Sequence, residues 1–559
     1  MLGFCAGCSL MADKVLQVDP KDNVAMALTT LHLGSEIRVG AGSPVIARQT
    51  IPAKHKLALI DLQPGDLVRM YGMVVGEVVK PIPRGDLVTT QNVQHRAGAY
   101  SAARQPISYP VPDPSPWAGR TFMGYHRADG QVGTRNYWIV LPLVFCENRN
   151  VEQMKEALEE ELGYGRANSR YRQRVRRLIA AHGNGHARRA QAVEEAAQQL
   201  RADRIFPNLD GVRFITHQLG CGGTRQDARG LCGLLAGYIH NPNVAGATIL
   251  SLGCQNAQSA LLMEELRARD PKMSKPVIIV DQQQSGQEAT LMEQAIDRTF
   301  AALSEANLAE RAPAPLSAFN VALQCGGSDG FSGVSANPTI GYVSDLVAGL
   351  GGATILSEFP ELHGVEQELI NRCATDELAQ RFANLMQDYA ARAAAAQSSF
   401  AFNPSPGNIR EGLITDAMKS AGASRKGGLS AIRGVLDYPE YATTPGLNLQ
   451  CTPGNDVESV TAQVGAGANI VLFTTGLGTP TGNPIAPVIK VSTNSTTGTR
   501  MSDIIDFDAG VIVTGGATVR DCGEQLFEMA IDVASGTRLT KSEMRGQIDF
   551  IPWKRGVSL

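Results

Sequence analysis

The sequence has no long apolar run, no strong net charge and no dense set of cysteines. Because no run of about 18 apolar residues occurs, we expect no membrane-spanning helix. A net charge of −3 without a basic stripe gives no electrostatic footprint for nucleic acid. We find no standard secretory signal, and the 10 cysteines are scattered rather than arranged as a disulfide scaffold. These absences favour a cytoplasmic protein without a membrane or nucleic-acid partner.

The chain is rich in glycine and long enough for about three or four domains. Its 58 glycines concentrate in turns after apolar strands, which suits an enzyme with pockets lined by backbone. Residues 11–94 carry short strands punctuated by Pro and Gly and predict a small β-rich domain, with a helix at 23–31. A proline-rich linker is predicted at 95–119. Residues 120–398 and 399–559 alternate strands and helices, so we predict an α/β protein with largely parallel sheets in both domains.

Three short glycine-flanked turns carry cysteines, namely Cys221, Cys254 and Cys325. Each turn follows an apolar run typical of a buried strand. Ligands of parallel sheets collect beyond the carboxyl ends of the strands, so these thiols are candidate metal ligands. Three thiolates could hold iron and leave one coordination position open. The alternative is three buried structural cysteines, because free Cys is among the most buried residue types.

Other residue types in these turns suit acid–base chemistry and anion binding. The turn from Gly476 through Gly478 to Gly482 exposes N–H groups that could bind a carboxylate, although a structural loop is the alternative. Candidates for proton transfer, each with a structural alternative, are His217, Asp329, Glu358 and Lys490. The candidates for substrate binding are Arg135, Arg225, Ser328, Gly476, Gly478 and Asn494. Each of the two arginines could bind a carboxylate through a pair of hydrogen bonds.

These motifs together resemble the altronate/galactarate dehydratase family over nearly the whole chain. The most specific match is Cys325-Gly326-Gly327-Ser328-Asp329-Gly330-Phe331-Ser332-Gly333, followed by Ala336-Asn337-Pro338. Leu252-Gly253-Cys254 and Phe473-Thr474-Thr475-Gly476 continue it, and residues 51–56 resemble the SAF domain with which the family begins.

The resemblance implies a metal-dependent hydro-lyase acting on hexonic or hexaric acids. Altronate, which would give 2-keto-3-deoxygluconate and water, is the expected substrate. Alternatives are galactarate, cleavage of a carbon–sulfur bond as in sulfolactate lyases, or a sugar-acid-binding protein without catalysis. The family implies Fe²⁺, sometimes Mn²⁺, whereas three cysteines would also fit an iron–sulfur cluster. We also expect a homo-oligomer.

One stretch departs from the family. Its first domain often ends in His-x-His-x-His-Asn, and the matching residues here are Leu87-Val88-Thr89-Thr90-Gln91-Asn92. All three histidines are absent. If they contribute to metal or substrate binding elsewhere, this chain does so differently or acts on a different acid.

Overall fold

The computed structural model describes residues 14–39, 43–165, 170–182 and 204–558. The chain forms two compact units. The first consists of Met1–Met123 and Pro313–Trp553, and the second of Gly124–Ala312 with Lys554–Leu559. In sequence, the long segment Gly124–Ala312 of the second unit therefore lies between the two parts of the first. Within the described residues, no helix is both long and apolar enough to span a lipid bilayer.

The N-terminal part of the first unit consists of short antiparallel strands, which confirms the predicted β-rich domain. Its strands are β1 (Val15–Leu16), β2 (Val24–Ala27), β3 (Glu36–Ile37), β4 (Val45–Ile46), β5 (Lys56–Ala58), β6 (Leu67–Met70), β7 (Met73–Val78), β8 (Leu87–Val88) and β9 (Val93–Gln94). The larger sheet has the order β1-β2-β5-β8, and its core includes Ala25, Ile37 and Leu57. The prediction of a helix at 23–31 is wrong. Strand β2 pairs on both edges, and this tertiary pairing overrides the helix propensity of its alanines.

The second unit is built on a parallel sheet. Its strands, with two that lie at its boundaries, are β10 (Thr121–His126), β11 (Val132–Gly133), β12 (Tyr137–Pro142), β13 (Gly211–Phe214), β14 (Val244–Ser251), β15 (Val277–Asp281) and β16 (Ala312–Pro315). The described helices are α1 (Asn148–Glu161), α2 (Arg170–His182), α3 (Arg225–His240), α4 (Ser259–Arg269), α5 (Gln282–Ser285) and α6 (Glu288–Ala306). Four parallel strands have the order β13-β12-β14-β15. The sequence at 171–200 predicts a helix that is broken near 183–185; helix α2 agrees with its first part, and the part beyond 182 lies outside the described residues.

The C-terminal part of the first unit contains a second parallel sheet. Its strands are β17 (Asn320–Cys325), β18 (Ala353–Leu356), β19 (Ile432–Leu436), β20 (Gly446–Gln450), β21 (Ile470–Thr475), β22 (Val488–Ser492) and β23 (Phe507–Asp508). Its helices are α7 (Ala336–Gly349), α8 (Glu366–Arg372), α9 (Asp376–Ala395), α10 (Pro406–Arg410), α11 (Asp416–Ala423), α12 (Asp456–Gly465), α13 (Ser495–Arg500), α14 (Val519–Ala534) and α15 (Lys541–Arg545). The order is β19-β20-β18-β17-β21-β22-β23, so the carboxyl ends of all seven strands share one edge.

This sheet corrects the predicted boundary at 398/399. Strands β17 and β18 precede that point, β19 to β23 follow it, and all of them pair in one sheet. The compact unit instead resumes at Pro313. The proline-rich stretch at 95–119 runs along the C-terminal part, where the Ile107 amide donates to the Asn371 carbonyl at 3.1 Å.

Candidate active site

A buried set of charged side chains lies at the carboxyl edge of the seven-stranded sheet. Cys325 ends β17, Glu358 follows β18, and Glu361 lies in the 3₁₀ turn Phe359–Leu362. Lys419 comes from α11 and Lys426 from the 3₁₀ turn Ser424–Gly427. We call these five residues the charged cluster. Buried charges are stable only when they are paired, so the arrangement of this cluster is informative.

Lys426 holds the charged cluster together. Its Nζ donates to Cys325 Sγ at 2.9 Å and to Glu358 Oε2 at 3.2 Å. Lys419 Nζ lies 2.6 Å from Glu361 Oε1, and Cys325 Sγ donates to Glu361 Oε2 at 3.5 Å. The two lysines and two glutamates therefore compensate one another, with the thiol between them.

Glu358 carries two marks of a functional residue. Its φ is 65°, in the left-handed region that side chains other than glycine rarely adopt. Its Oε1 is buried and has no hydrogen-bond partner within the described ranges. A strained backbone and an orphaned buried oxygen both cost stability, and such features concentrate at functional sites.

The protonation of the charged cluster follows from its burial and its charges. Burial first, and then the Glu361 charge, raises the pKa of Glu358 to about 8. Burial raises the pKa of the Cys325 thiol to about 12. Burial alone would lower the pKa of Lys426, but its acidic neighbours raise it above the ordinary value. Near neutral pH the cluster thus offers a fixed cation beside a carboxyl group able to exchange a proton.

A second polar centre surrounds Asp329, later in the same loop as Cys325. Lys54 Nζ from the N-terminal domain lies 3.1 Å from Asp329 Oδ2. Thr493 Oγ1 donates to Oδ1 at 2.9 Å, and Asn494 Nδ2 donates to Oδ2 at 3.1 Å. A Cβ on Gly476 would lie 2.4 Å from Asp329 Cγ, so only glycine allows this approach. Three residues singled out in sequence, Asp329, Gly476 and Asn494, therefore meet here.

Sequence reasoning missed a third group, formed by His95, His363 and Asp416. Asp416 Oδ2 lies 2.7 Å from His363 Nδ1, and the two histidine rings stack with centroids 5.0 Å apart. Burial raises the pKa of Asp416 to about 7. The pKa of His363 is also raised, because Asp416 outweighs the effect of burial. His95 lies just beyond the stretch that lacks the family histidines, and this position was the available signal.

The remaining candidate residues of the first unit lie in different surroundings. Ser328 accepts at its carbonyl from Asn408 Nδ2 at 2.8 Å. The Gly478 amide donates to Thr475 Oγ1 at 2.9 Å. Lys490 is buried and donates to Gln547 Oε1, and burial lowers its pKa to about 8. None of these contacts places Gly478 or Lys490 within the charged cluster or beside Asp329.

The candidate residues of the second unit differ in exposure. Both ring nitrogens of His217 have partners, Nε2 with the Pro142 carbonyl at 2.8 Å and Nδ1 with the Leu219 amide at 3.2 Å. Arg135 is buried and donates to the Thr134 carbonyl at 2.7 Å. Arg225 is exposed at the start of α3. Cys221 and Cys254 are exposed free thiols.

Donor groups close enough for a single metal ion occur in three places within the described ranges. Their ligand atoms lie within 4.8 Å of one another in Cys325–Glu358–Glu361, His95–His363–Asp416 and Asp129–His240–Asp270. In the first, the ammonium group of Lys426 lies 2.9 Å from the sulfur. A metal cation would be repelled there, so these donors fit acid–base chemistry better than metal binding.

Comparison with known proteins covers almost the entire chain. Three family models match: the altronate/galactarate dehydratase SAF domain at 13–96, the second domain of D-galactarate dehydratase/altronate hydrolase at 124–307, and the C-terminal domain of D-galactarate/altronate dehydratase at 316–558. An altronate dehydratase of Escherichia coli (strain K12) is 31% identical over 545 residues, covering 97% of this chain and 99% of that protein.

Two further relatives differ in the reaction their names describe. A galactarate dehydratase (L-threo-forming) of Escherichia coli (strain K12) is 31% identical, covering 95% of this chain and 94% of its own length. A (2R)-sulfolactate sulfo-lyase subunit beta of Chromohalobacter salexigens is 30% identical over 440 residues, covering 78% of this chain and 97% of its own. With three consecutive family domains and this coverage, the chain belongs to the altronate/galactarate dehydratase family.

Proposed function

We propose that the chain removes water from a sugar acid, with altronate as substrate and 2-keto-3-deoxygluconate as product. The observation that carries the proposal is the charged cluster, in which Lys426 contacts both Cys325 and Glu358. Two relatives named altronate dehydratase, 31% and 30% identical over nearly the full chain, support this choice of substrate.

The reaction needs a base and a stabilised negative charge. The proton on the carbon beside the carboxylate moves to the base, and the electrons of that C–H bond form a C=C bond. The neighbouring hydroxyl takes that proton back from the base and leaves as water, and the resulting enol tautomerises to the keto acid. Glu358 is our choice for the base, because its pKa of about 8 makes it a stronger base than an ordinary carboxylate and still leaves part of it ionised near neutral pH.

The lysines of the charged cluster supply the electrostatic part. Lys426 stays protonated beside Glu358, so it can stabilise the enolate-like charge that develops as the proton leaves. Around Asp329, the Lys54 ammonium and the Asn494 amide are polar groups suited to the hydroxyls of a sugar acid. We assign substrate binding to Asp329, Asn494 and Lys54.

We further propose iron as the cofactor, with Mn²⁺ as the alternative ion and an iron–sulfur cluster as the alternative form. Cys221 and Cys254 fit iron, because they are free, exposed thiols in glycine turns. When bound, iron would act as a Lewis acid that polarises an oxygen of the substrate. We leave Cys325 out of the iron site, because the Lys426 ammonium group lies 2.9 Å from its sulfur and would repel a metal cation.

We also propose a cytoplasmic location and a homo-oligomeric assembly. None of the eight cysteines in the described ranges forms a disulfide, which fits a reducing compartment such as the cytoplasm. We propose a homo-oligomer, which light scattering after size-exclusion chromatography would test.

A substrate panel tests the proposed reaction. Anaerobically purified, iron-supplied protein is incubated with altronate, galactarate and sulfolactate, and 2-keto acid and sulfite are measured. We expect keto acid from altronate, and none from the Glu358→Gln variant. Release of sulfite alone would favour the carbon–sulfur lyase. Tight binding of a sugar acid without any product would favour a non-catalytic binding protein.

A further inference from the structure

Three exposed thiols occupy equivalent positions in the second unit. Cys146, Cys221 and Cys254 are all free and exposed. They lie in the loops that follow β12, β13 and β14, and these strands are parallel neighbours in the order β13-β12-β14. Carboxyl ends of adjacent parallel strands meet at one edge, so the topology brings the three loops together. Cys146 was not among the sequence candidates.

Backbone hydrogen bonds join these loops directly. The Phe145 amide donates to the Leu219 carbonyl at 3.0 Å, which links the loops of Cys146 and Cys221. The Ala257 amide donates to the Gly220 carbonyl at 3.1 Å, which links the loops of Cys221 and Cys254. Gly220 has a φ of 101°, and a Cβ there would lie 2.1 Å from the Leu143 carbonyl oxygen. The approach of the loops thus requires glycine.

Buried polar side chains fix the loops in place. His217 bonds through both ring nitrogens to the backbone on either side, and Asn148 Nδ2 donates to the His217 carbonyl at 2.8 Å. In the third loop, buried Gln255 accepts from the Gly253 amide at 2.7 Å and donates to Ser251 Oγ at 2.8 Å. Such outer support orients the ligands of a metal site. It also explains His217 as a positioning residue.

The electrostatics of the three loops favour a bound cationic centre. Three thiolates that meet at one edge of a sheet repel one another unless a cation lies between them. Helices α1, α3 and α4 begin just after these cysteines, and their N-terminal amides stabilise thiolates.

We propose that Cys146, Cys221 and Cys254 hold an iron–sulfur cluster, one iron of which has no protein thiolate. A single tetrahedral ion binds sulfur at about 2.3 Å and so holds its sulfurs about 3.8 Å apart. These thiols are not among the described donor groups that lie within 4.8 Å of one another. In a cluster each thiolate binds a different iron, which accommodates wider spacing. A role in dehydration for the iron that lacks a protein thiolate rests on the proposed function. The assignment of the three cysteines as cluster ligands does not.

Metal analysis of the full-length protein tests the assignment. Protein is purified anaerobically and supplied with iron and sulfide, and iron, acid-labile sulfide, visible absorption and the electron paramagnetic resonance of the reduced form are measured. Each of Cys146→Ser, Cys221→Ser and Cys254→Ser is expected to lower iron and sulfide about tenfold or more, since even outer partners contribute about that much to metal affinity. The controls are Cys232→Ser, which changes a buried thiol in α3, and Cys325→Ser. Both control variants should retain iron and acid-labile sulfide. Circular dichroism verifies folding.

The outcomes separate this site from the proposed reaction. Iron without labile sulfide would overturn the cluster, and unchanged iron and sulfide in Cys146→Ser would overturn the third ligand. Wild-type protein that turns over a sugar acid without cluster spectra refutes this inference alone. Protein that carries the cluster but acts on no sugar acid refutes the proposed reaction alone. Glu358→Gln should keep the spectra and lose turnover.

Discussion

Replacing Lys426 with Met removes the ammonium group that holds the charged cluster. Its Nζ lies 2.9 Å from Cys325 Sγ and 3.2 Å from Glu358 Oε2, and both lysine and glutamate are 1% exposed. The change keeps much of the side-chain volume and leaves Glu358 without its nearest cation. We therefore expect losses of both activity and stability, with different dependence on pH.

The size of each loss follows from the environment. Removing one preorganised donor to a developing negative charge typically costs about 10²–10³ in kcat. Breaking a buried ion pair costs about 3–5 kcal/mol when the remaining charge stays ionised. Without Lys426, the pKa of Glu358 should rise above its present value of about 8. Folded wild-type Glu358 is already protonated near pH 6, so a further rise of its pKa costs additional stability only above about pH 8. The stability loss of the variant should therefore be small near about pH 6 and larger near about pH 9.

Denaturant unfolding and initial rates with altronate measure the two losses. The double variant Lys426→Met/Glu358→Gln removes both charges, so it should recover stability while activity stays lost. Lys275→Met is a matched control, since Lys275 is also buried but donates to helix-end carbonyls in the other unit, including that of His240 at 2.8 Å. It should lose stability and keep its specific activity. Full activity of Lys426→Met, or a stability loss independent of pH, would refute the reasoning.

Three further predictions concern the neighbouring groups. Asp329→Asn weakens the 3.1 Å contact with Lys54 and should lower kcat/KM for altronate about tenfold or more, as expected for a charged hydrogen bond worth about 1.5–3 kcal/mol; an unchanged value contradicts the assignment. Gly476→Ala places a methyl group 2.4 Å from Asp329 Cγ and should lower the unfolding free energy by about 1–3 kcal/mol in chemical denaturation. The raised pKa values of His363 and Asp416 both mean that this pair loses stabilising energy as pH rises from about 4 to above 7. Unfolding of His363→Asn/Asp416→Asn should thus show a flatter pH dependence than wild type.

Residues at strand ends were predictable because local pattern and topology agree there. Apolar runs followed by glycine turns gave the parallel sheets, and Asp329, Gly476 and Asn494 meet because they follow β17, β21 and β22, which are adjacent. Cys146 also follows an apolar strand, β12, but residues 143–150 contain no glycine, so the search for glycine-flanked turns missed it. Sequence reasoning therefore found the residues that meet around Asp329, and two of the three exposed cysteines, Cys221 and Cys254.

Lys419 and Lys426 were not predictable in this way. They lie in a helix and a 3₁₀ turn rather than at strand ends, and only tertiary packing brings them to Cys325. The predicted domain boundary at 398/399 was wrong for a related reason. The long helix α9 separates β18 from β19 in sequence, and nothing local shows that both strands enter one sheet.

The order of synthesis sets a constraint on the N-terminal β-rich domain. Thr415 Oγ1 donates to the Val75 carbonyl across 340 residues of chain, and Lys56 Nζ donates to the Gly412 carbonyl across 356. At about 5–20 residues per second, this domain waits on the order of 20–70 s for its docking surface to emerge from the ribosome. During that interval Lys56 has no carbonyl of residue 412 to bond, so the newborn domain must persist on its small core alone.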